Sequence, residues 1–287
     1  MIVYVLTLLQ QPSNDRDWAL DNSIVPEIRI VGKDVSISGF RHITFSSGPE
    51  DAEDETNVNY STLRFQIDQL REVWFVVQKF TALEGIAHNF LTFSYDPGDG
   101  PRYFSVSVEI RRERGESFSP TRGLYRQYEL IYVVADERDE IGSRTVFRPN
   151  DRVYLYPVNA TSEQVQSLFV SIAARMQALV ETPEYYHSLL NNCTNNIVEH
   201  TYQLTSKPIN WLNPQIVLPG FADRLAFSRG LIGDGDDDFE TLRARCRIDG
   251  IARKGGITPD FSTLIRQRLD RQGPGPGKQG TISSDPR

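Results

Sequence analysis

The sequence predicts an α+β fold in which an antiparallel β-sheet packs against helices that follow it. Before residue 160, most segments alternate apolar and polar residues with the period of two that is typical of strands. Residues 161–180 instead repeat apolar residues at helical spacing. The chain has 287 residues, of which 39% are hydrophobic, so it is long enough to bury one large core.

The strongest strand signal is a hairpin. HNFLTFSY (88–95) and RYFSVSVEIR (102–111) are separated by DPGDGP, a strong turn sequence. In the second strand Ser105, Ser107, Glu109 and Arg111 share one face because side chains alternate along a strand. The other predicted strands are residues 27–31, 34–38, 42–46, 63–67, 73–80, 128–134 and 152–158. Residues 47–62 are predicted to form an acidic loop.

Helices are predicted after the strands. Thr161 and Gln164 form a capping box, and the helix that follows has an apolar stripe. The stripe consists of Val165, Leu168, Phe169, Ile172, Met176 and Leu179. A charged helix is predicted at 135–144, and Thr182-Pro183 indicates a short helix that Asn191-Asn192 interrupts. A new helix is then expected from Cys193 to about Leu204.

The ends of the chain differ in composition from its centre. Residues 1–11 form an apolar segment, shorter than the roughly 20 residues that span a membrane and without the features of a signal peptide. This segment is a buried element or the remnant of a membrane anchor. Residues 12–271 are predicted as one domain with a mostly helical extension from about 206, and residues 272–287 as a disordered tail.

Charge and cysteine content exclude several functions. A net charge of −7 and a pI of about 5.2 argue against a general nucleic-acid binder. Two cysteines, Cys193 and Cys246, are too few for a disulfide scaffold, and no Cys/His set has zinc spacing, so neither a metal nor a cofactor is indicated. Arg111, Arg112 and Arg126 belong to a basic stretch that could bind phosphate or carboxylate groups. The alternative is a solvated face paired with neighbouring glutamates.

Cys193 is the candidate nucleophile. At a helix N-terminus, unpaired amides and the positive end of the dipole favour a thiolate, and the same amides can bind an oxyanion. The alternative is a buried cysteine that acts as a small hydrophobe. Cys246 has no capping signal and is predicted to be structural.

His88 is the candidate base because it opens the first strand of the hairpin. If Tyr95 pairs with Arg102, the register places Glu109 opposite His88, where a carboxylate could orient the imidazole. A slip of one residue would place Val108 or Ile110 there instead. The alternative reading of the pair is an ordinary cross-strand contact.

Several ordered motifs resemble those of the bacterial Lnb N-terminal periplasmic domain family over residues 12–204. They are IAHNFLTFSY, SVSVEIRRERGESFS, YELIYVVADERDEIGSRT, VYLYPV and PEYYHSLLNNCTNNI. The resemblance implies a papain-like thiol enzyme, circularly permuted relative to the NlpC-type hydrolases so that histidine precedes cysteine. It assigns the family histidine to His88, the cysteine of the NCT motif to Cys193 and the glutamate of the SVE motif to Glu109.

The resemblance also implies an activity, namely transfer of a fatty acyl chain from phospholipid to the N-terminus of bacterial lipoproteins. The expected place is the periplasm at the inner membrane, with a phospholipid donor, a lipoprotein acceptor and the membrane surface as partners. Family members usually carry spanning segments before the domain, which favours an anchor remnant at 1–11.

Two alternatives remain, a cysteine peptidase or amidase acting on peptides or peptidoglycan, and a non-catalytic envelope binding module. An apolar tunnel beside Cys193 would favour the acyltransferase, whereas an open polar cleft would favour the peptidase.

Overall fold

The computed structural model describes residues 11–44, 57–80, 83–117, 119–205, 209, 213–233, 235 and 237–269. In this part of the chain, an eight-stranded sheet has helices on both faces, which confirms the α+β class. The strands are β1 (Glu27–Val31), β2 (Asp34–Ile43), β3 (Val58–Gln66), β4 (Leu70–Lys79), β5 (His88–Tyr95), β6 (Arg102–Arg111), β7 (Glu129–Ala135) and β8 (Arg152–Pro157).

The sheet has the strand order β1-β2-β7-β6-β5-β4-β8, and β3 also pairs with β2. Neighbours are antiparallel except β2 and β7, which meet in parallel at Arg41 and Ala135. The prediction of a wholly antiparallel sheet was therefore wrong at one junction. Turn signals set the direction of strands joined by hairpins, but β2 and β7 are distant in sequence and meet only through the tertiary fold.

The central hairpin has the predicted register. Tyr95 pairs with Arg102, and Phe90 pairs with Ser107, five positions along the same ladder. Two runs predicted as separate strands instead form the single strand β2, with a bulge where Gly39 has a φ of 71°. A Cβ atom at Gly39 would lie 3.0 Å from the Ile24 side chain, so glycine suits this bend sterically as well as conformationally. The predicted acidic loop is too long, because β3 begins at Val58.

The α-helices in the described residues begin after β6. They are α1 (Pro120–Leu124), α2 (Glu137–Val146), α3 (Ser162–Glu181), α4 (Cys193–His200), α5 (Pro214–Val217), α6 (Ala222–Ser228), α7 (Phe239–Arg245), α8 (Asp249–Gly255) and α9 (Phe261–Arg266). None of the helices in this part of the chain has the length and apolar character needed to cross a bilayer. The predictions for residues 1–10 and 272–287 lie outside the described residues.

Helix α3 covers one face of the sheet. Its capping box of Thr161 and Gln164 is present, and all six predicted stripe residues are buried. Phe169 packs against the strand residues Phe65, Phe93 and Phe104, with ring centroids 5.6–6.0 Å away. Truncation of a buried phenylalanine costs about 3–5 kcal/mol. This aromatic cluster therefore anchors α3 on the sheet.

Helices α2, α8 and α9 cover the other face around Trp74, Phe90 and Leu155. Arg266 of α9 forms a buried ion pair of 2.6 Å with Glu137 of α2. The Glu137 carboxylate also accepts a hydrogen bond from Thr92 of β5. The C-terminal helices are thus tied to the strand that begins with His88.

The short helix predicted from Thr182-Pro183 is absent from residues 182–192. Leu130 donates a backbone hydrogen bond to Glu184, and Tyr186 donates one to Tyr128, so this segment pairs with the start of β7. Pairing with a strand satisfies the backbone groups that a helix would have used, and here it overrides local propensity. The segment ends in a turn from His187 to Asn191.

Candidate active site

Cys193 is the first residue of α4, and only 3% of it is exposed. Asn192 caps the helix, because its Oδ1 atom accepts hydrogen bonds from the backbone N–H groups of Thr194 and Asn195 at 2.9 and 3.0 Å. The helix start is therefore fixed by an asparagine side chain. Burial at this position shields the Cys193 thiol from bulk water.

The Asn192 cap changes the expectation for oxyanion binding. The Thr194 and Asn195 amides already donate to Asn192, so they are not available to a ligand. The Cys193 N–H has no acceptor among the described residues and is the amide left at this helix start.

His88 lies opposite Glu109, as the hairpin register requires. Its Nε2 atom is 2.9 Å from Glu109 Oε1 and 2.8 Å from Ser107 Oγ. Ser107 in turn donates a hydrogen bond of 2.7 Å to Glu109. Because Nε2 faces the carboxylate, Nδ1 is the nitrogen that remains to interact with Cys193. Cys193 shares a side-chain hydrogen bond with His88, so the structure brings Cys193, His88 and Glu109 together.

The charges of these three groups reinforce one another. Burial alone would raise the pKa of Cys193, but the charge of His88 and a hydrogen bond with it bring that pKa below its usual value. Burial alone would lower the pKa of His88, but Glu109 and Cys193 raise it to about 10. Burial would also raise the pKa of Glu109, yet His88 and Arg144 hold it well below its usual range. A thiolate–imidazolium pair beside a carboxylate is therefore the favoured state.

Arg144 of α2 forms an ion pair with Glu109 and was not predicted from the sequence. Its guanidinium lies 2.7 Å from Glu109 and 2.8 Å from Glu140, and it donates a hydrogen bond of 2.9 Å to Gln78. Among the described residues, the ligand atoms of His88, Glu109 and Glu140 lie within 4.8 Å of one another, as a metal site requires. The guanidinium of Arg144 forms ion pairs with both Glu109 and Glu140, so it supplies a positive charge between these two carboxylates.

Asn89 and Tyr186 were also missed. The backbone N–H of Asn89 bonds to Cys193 and contributes to its lowered pKa. The Asn89 side chain donates to Thr194 Oγ1 and to the Pro219 carbonyl, both at 2.9 Å, which ties β5 to α4. Burial, with the charges of Cys193 and Glu109, raises the pKa of Tyr186 well above its usual value. Tyr186 therefore keeps its proton and is a hydroxyl donor close to the site.

An apolar cavity lies beside α4 on the side of Thr194. Its volume is about 60 Å³. The lining comes from β4, β5, α3, α4, α5 and α6 and from the segments around them, and Thr194 and Thr201 are its polar residues. Apolar members include Phe75, Leu91, Leu168, Ile197, Ile216, Leu225, Ala226 and Leu231. The residue next to Cys193 thus lines a cavity with the chemical character of a hydrocarbon.

The three arginines predicted to bind substrate occupy different environments. Arg111 is 2% exposed, stacks on Trp18, and donates to Asn14 and to the carbonyls of Asn22 and Ser23. Burial lowers the pKa of Arg111 to about 10. Arg111 therefore has a structural role, holding the segment before β1 against the sheet.

The other two arginines are nearer the surface. Arg112 forms a 2.7 Å ion pair with Asp21 and also bonds to the Glu116 carbonyl. Arg126 is exposed, and its φ of 54° makes it the non-glycine residue with positive φ in the described chain.

Cys246 and the remaining histidines take no part in the contacts of Cys193 and His88 described above. Cys246 is fully buried in the apolar core. His42 contacts Ser61, and His187 accepts backbone N–H groups in the turn before α4. His200 ends α4, with Nδ1 at 2.8 Å from Ser171 and Nε2 at 3.5 Å from Tyr132.

Comparison with known families gives one finding. The model of the Lnb N-terminal periplasmic domain family matches residues 56–216, which is more than half of the chain and contains Cys193, His88, Glu109 and Arg144. No match was found among curated proteins or among solved structures.

Proposed function

The chain belongs to the Lnb N-terminal periplasmic domain family, and we propose that it is a cysteine-dependent acyltransferase that forms a thioester on Cys193. The proposed reaction moves a fatty acyl chain from a phospholipid to the N-terminal amine of a bacterial lipoprotein. The observation that carries this proposal is a thiol of lowered pKa next to Thr194, which lines an apolar cavity. The first feature supports acyl transfer, and the second supports a lipid acyl group.

In the first step, the Cys193 thiolate attacks the ester carbonyl carbon of the phospholipid. The carbonyl electron pair moves to oxygen, and the Cys193 N–H and the Tyr186 hydroxyl are the candidate donors to this oxyanion. When the pair returns, the carbon–oxygen ester bond breaks. The leaving alkoxide takes a proton from the His88 imidazolium and departs as a lysophospholipid alcohol, leaving a thioester and neutral His88.

In the second step, the amine of the acceptor attacks the thioester carbonyl. His88 accepts the proton that the amine loses as the amide bond forms. The carbon–sulfur bond then breaks, and the thiolate–imidazolium pair is restored. Glu109 stabilises the imidazolium in both steps and orients the ring through Nε2, which is 2.9 Å away.

The cavity favours a lipid substrate over a peptide. A peptide-binding cleft needs polar groups that pair with backbone N–H and C=O groups. The residues around this cavity instead offer methyl, methylene and phenyl groups, which favour an acyl chain by removing its surface from water. The volume suits the carbons nearest the carbonyl, so a longer chain must separate the lining side chains.

A permuted papain-like arrangement is part of the proposal. The hairpin that carries His88 and Glu109 precedes the helix that begins with Cys193. The histidine-before-cysteine order and the packing of this helix against the sheet support such an arrangement. The family name supports a periplasmic location, and association with the inner membrane is proposed from the lipid substrate.

The proposal is tested by intact-protein mass spectrometry after incubation with phospholipid vesicles. We expect a mass increase of one acyl group that maps to Cys193 and is released by hydroxylamine, as a thioester is. Cys246→Ser is the matched control and should acylate normally, because Cys246 is buried in the core. A Cys193→Ser chain that gains the same hydroxylamine-labile acyl group would refute the thioester.

A further inference from the structure

Exposed apolar side chains lie near the N-terminus of α4, the helix that Cys193 opens. Leu189 and Leu190 are 43% and 57% exposed and lie in the turn just before the Asn192 cap. Leu124 and Tyr125, at the end of α1, are exposed to a similar degree. We call these four residues the rim patch. Exposed apolar groups that cluster beside a functional site mark a contact with an apolar partner.

Hydrogen bonds join the two parts of the rim patch. The Ser188 N–H donates to the Gly123 carbonyl at 3.3 Å, so the turn rests against α1. A Cβ atom at Gly123 would lie 2.4 Å from Ser188 Oγ, so glycine allows this close approach. Asn192 donates to the Ser188 carbonyl at 2.7 Å. The cap that orients Cys193 therefore also holds the rim patch.

The turn itself is held firmly although its leucines are exposed. His187 Nδ1 accepts the N–H groups of Leu189 and Leu190 at 3.2 and 3.3 Å. Asn191 donates to the Glu184 carboxylate and to the Tyr185 carbonyl. These bonds fix the backbone while leaving the leucine side chains partly in water, which costs free energy unless a partner covers them.

Arg126 adds a positive charge next to Tyr125. It forms no ion pair with any residue in the described part of the chain, whereas its neighbour Arg122 pairs with Glu116. Its left-handed backbone, with a φ of 54°, is a conformation that non-glycine residues rarely adopt. Strain of this kind concentrates at functional positions.

We propose that the rim patch docks onto a phospholipid bilayer with anionic headgroups and so presents the ester carbonyl to Cys193. Leu189, Leu190 and Leu124 enter the boundary between headgroups and acyl chains, Tyr125 lies at the interface, and Arg126 pairs with a phosphate. This inference rests on the proposed function, because a phospholipid donor must reach a buried thiol from the membrane. A protein partner fits less well, since a stable interface needs about 20–30 residues on each side.

Flotation of the full chain with vesicles of phosphatidylethanolamine and phosphatidylglycerol tests the docking. Replacement of both leucines, Leu189→Ser with Leu190→Ser, should weaken vesicle binding roughly tenfold or more. Val31→Ser is the matched control, because Val31 is 66% exposed in the hairpin of β1 and β2. Arg126→Asn, which tolerates a positive φ, should weaken binding to these vesicles but not to vesicles of phosphatidylcholine alone.

Two further measurements separate docking from chemistry. Cys193→Ala should bind vesicles as the unchanged chain does, and the double leucine variant should still acylate Cys193 with a water-soluble short-chain ester. If the unchanged chain is not acylated but its vesicle binding depends on the two leucines, the proposed acyltransferase function is refuted and the docking proposal stands. Unchanged vesicle binding by the double leucine variant would overturn the docking proposal and assign the leucines to a protein contact.

Discussion

A largely buried histidine lies at each end of helix α4, His88 of β5 at the N-terminal end and His200 at the C-terminal end, and the two differ in charge state. At the N-terminal end, Glu109 and Cys193 raise the pKa of His88 to about 10 against the effect of burial. At the C-terminal end, burial and the nearby Arg175 lower the pKa of His200 to about 4. The same side chain is therefore a cation at one end of the helix and neutral at the other.

The difference shows that neighbouring charges, rather than burial, decide the chemistry of a histidine here. Burial disfavours the cation at both ends. The helix dipole would favour a cation at the C-terminal end, where His200 is neutral. The partners decide the outcome, because His88 has a carboxylate at 2.9 Å, whereas His200 has the hydroxyls of Ser171 and Tyr132.

The largest expected effect is the loss of thiol reactivity when His88 is removed, compared with removal of His200. Without the His88 imidazolium, burial raises the pKa of Cys193, so His88→Ala should slow alkylation of Cys193 by iodoacetamide at neutral pH roughly 10³-fold. His200→Ala is the matched variant at the other end of α4 and should change the rate by no more than about twofold. Equal slowing in both variants would show that helix packing, not the charge of His88, activates the thiol.

Glu109→Gln sharpens the comparison by giving His88 a neutral partner like that of His200. The amide keeps the shape of the carboxylate but loses its charge, so the pKa of His88 should fall. We expect the acyl transfer rate to decrease roughly 10–100-fold, with a smaller effect on binding of the acyl donor. An NMR titration of the His88 ring would show the shift, and an unchanged titration would remove Glu109 from the proposed role.

Between the two histidines, the middle of α4 lines the apolar cavity. A larger side chain in the opposite wall of the cavity tests whether this space holds the acyl chain. Ala226→Phe should fill the cavity from α6 and reduce transfer of long acyl chains roughly tenfold relative to butyryl transfer. Ala174→Phe, on the exposed side of α3, is the matched control. If both variants keep the chain-length preference of the unchanged chain, the cavity does not hold the acyl group.

The smallest expected effect is on stability against pH. His200 has a folded pKa of about 4 and an ordinary value of 6.5, so the unfolded chain binds an extra proton as the pH falls below 6.5. The free energy of unfolding should therefore fall by about 1 kcal/mol from neutral pH to near pH 6. Urea unfolding of His200→Gln should show a smaller loss over this range, because the part that His200 contributes is removed.

The pair at the other end of α4 should contribute no such slope between about pH 6.5 and 9. In the folded chain one proton lies on His88, whereas in the unfolded chain it lies on Cys193, so the number of bound protons is the same. Below about pH 6.5 the unfolded chain also protonates His88, so the pair adds a loss of its own there. A loss of unchanged size in His200→Gln would show that His200 does not contribute to it.

Much of the fold was predictable from local patterns. DPGDGP and the alternation on both sides of it predicted the hairpin and its register, which placed Glu109 opposite His88. Thr161, Gln164 and the spacing of apolar residues predicted α3 and its buried face. The parallel junction of β2 and β7 was not predictable in this way, because no turn connects those strands.

Local patterns did not predict that Arg144 of α2 pairs with Glu109. Residues 135–144 have the composition of a solvated charged helix, yet Glu137, Glu140 and Arg144 are buried on one face of α2. The available signal was their helical spacing together with Ile141, which predicts a charged face turned inward. The partners that make such a face stable, Arg266 and Glu109, are far away in sequence.

The sequence alone determined the residues that open β5 and α4, because turn chemistry, capping and side-chain periodicity act over a few neighbours. It thereby identified Cys193 and His88 as candidates and put Glu109 on the right face of β6. The tertiary structure decided the protonation of these groups, the Cys193 amide that has no acceptor among the described residues and the apolar cavity that Thr194 lines. Desolvation and electrostatic interaction depend on distances through space, and in this protein those distances join segments that are distant along the chain.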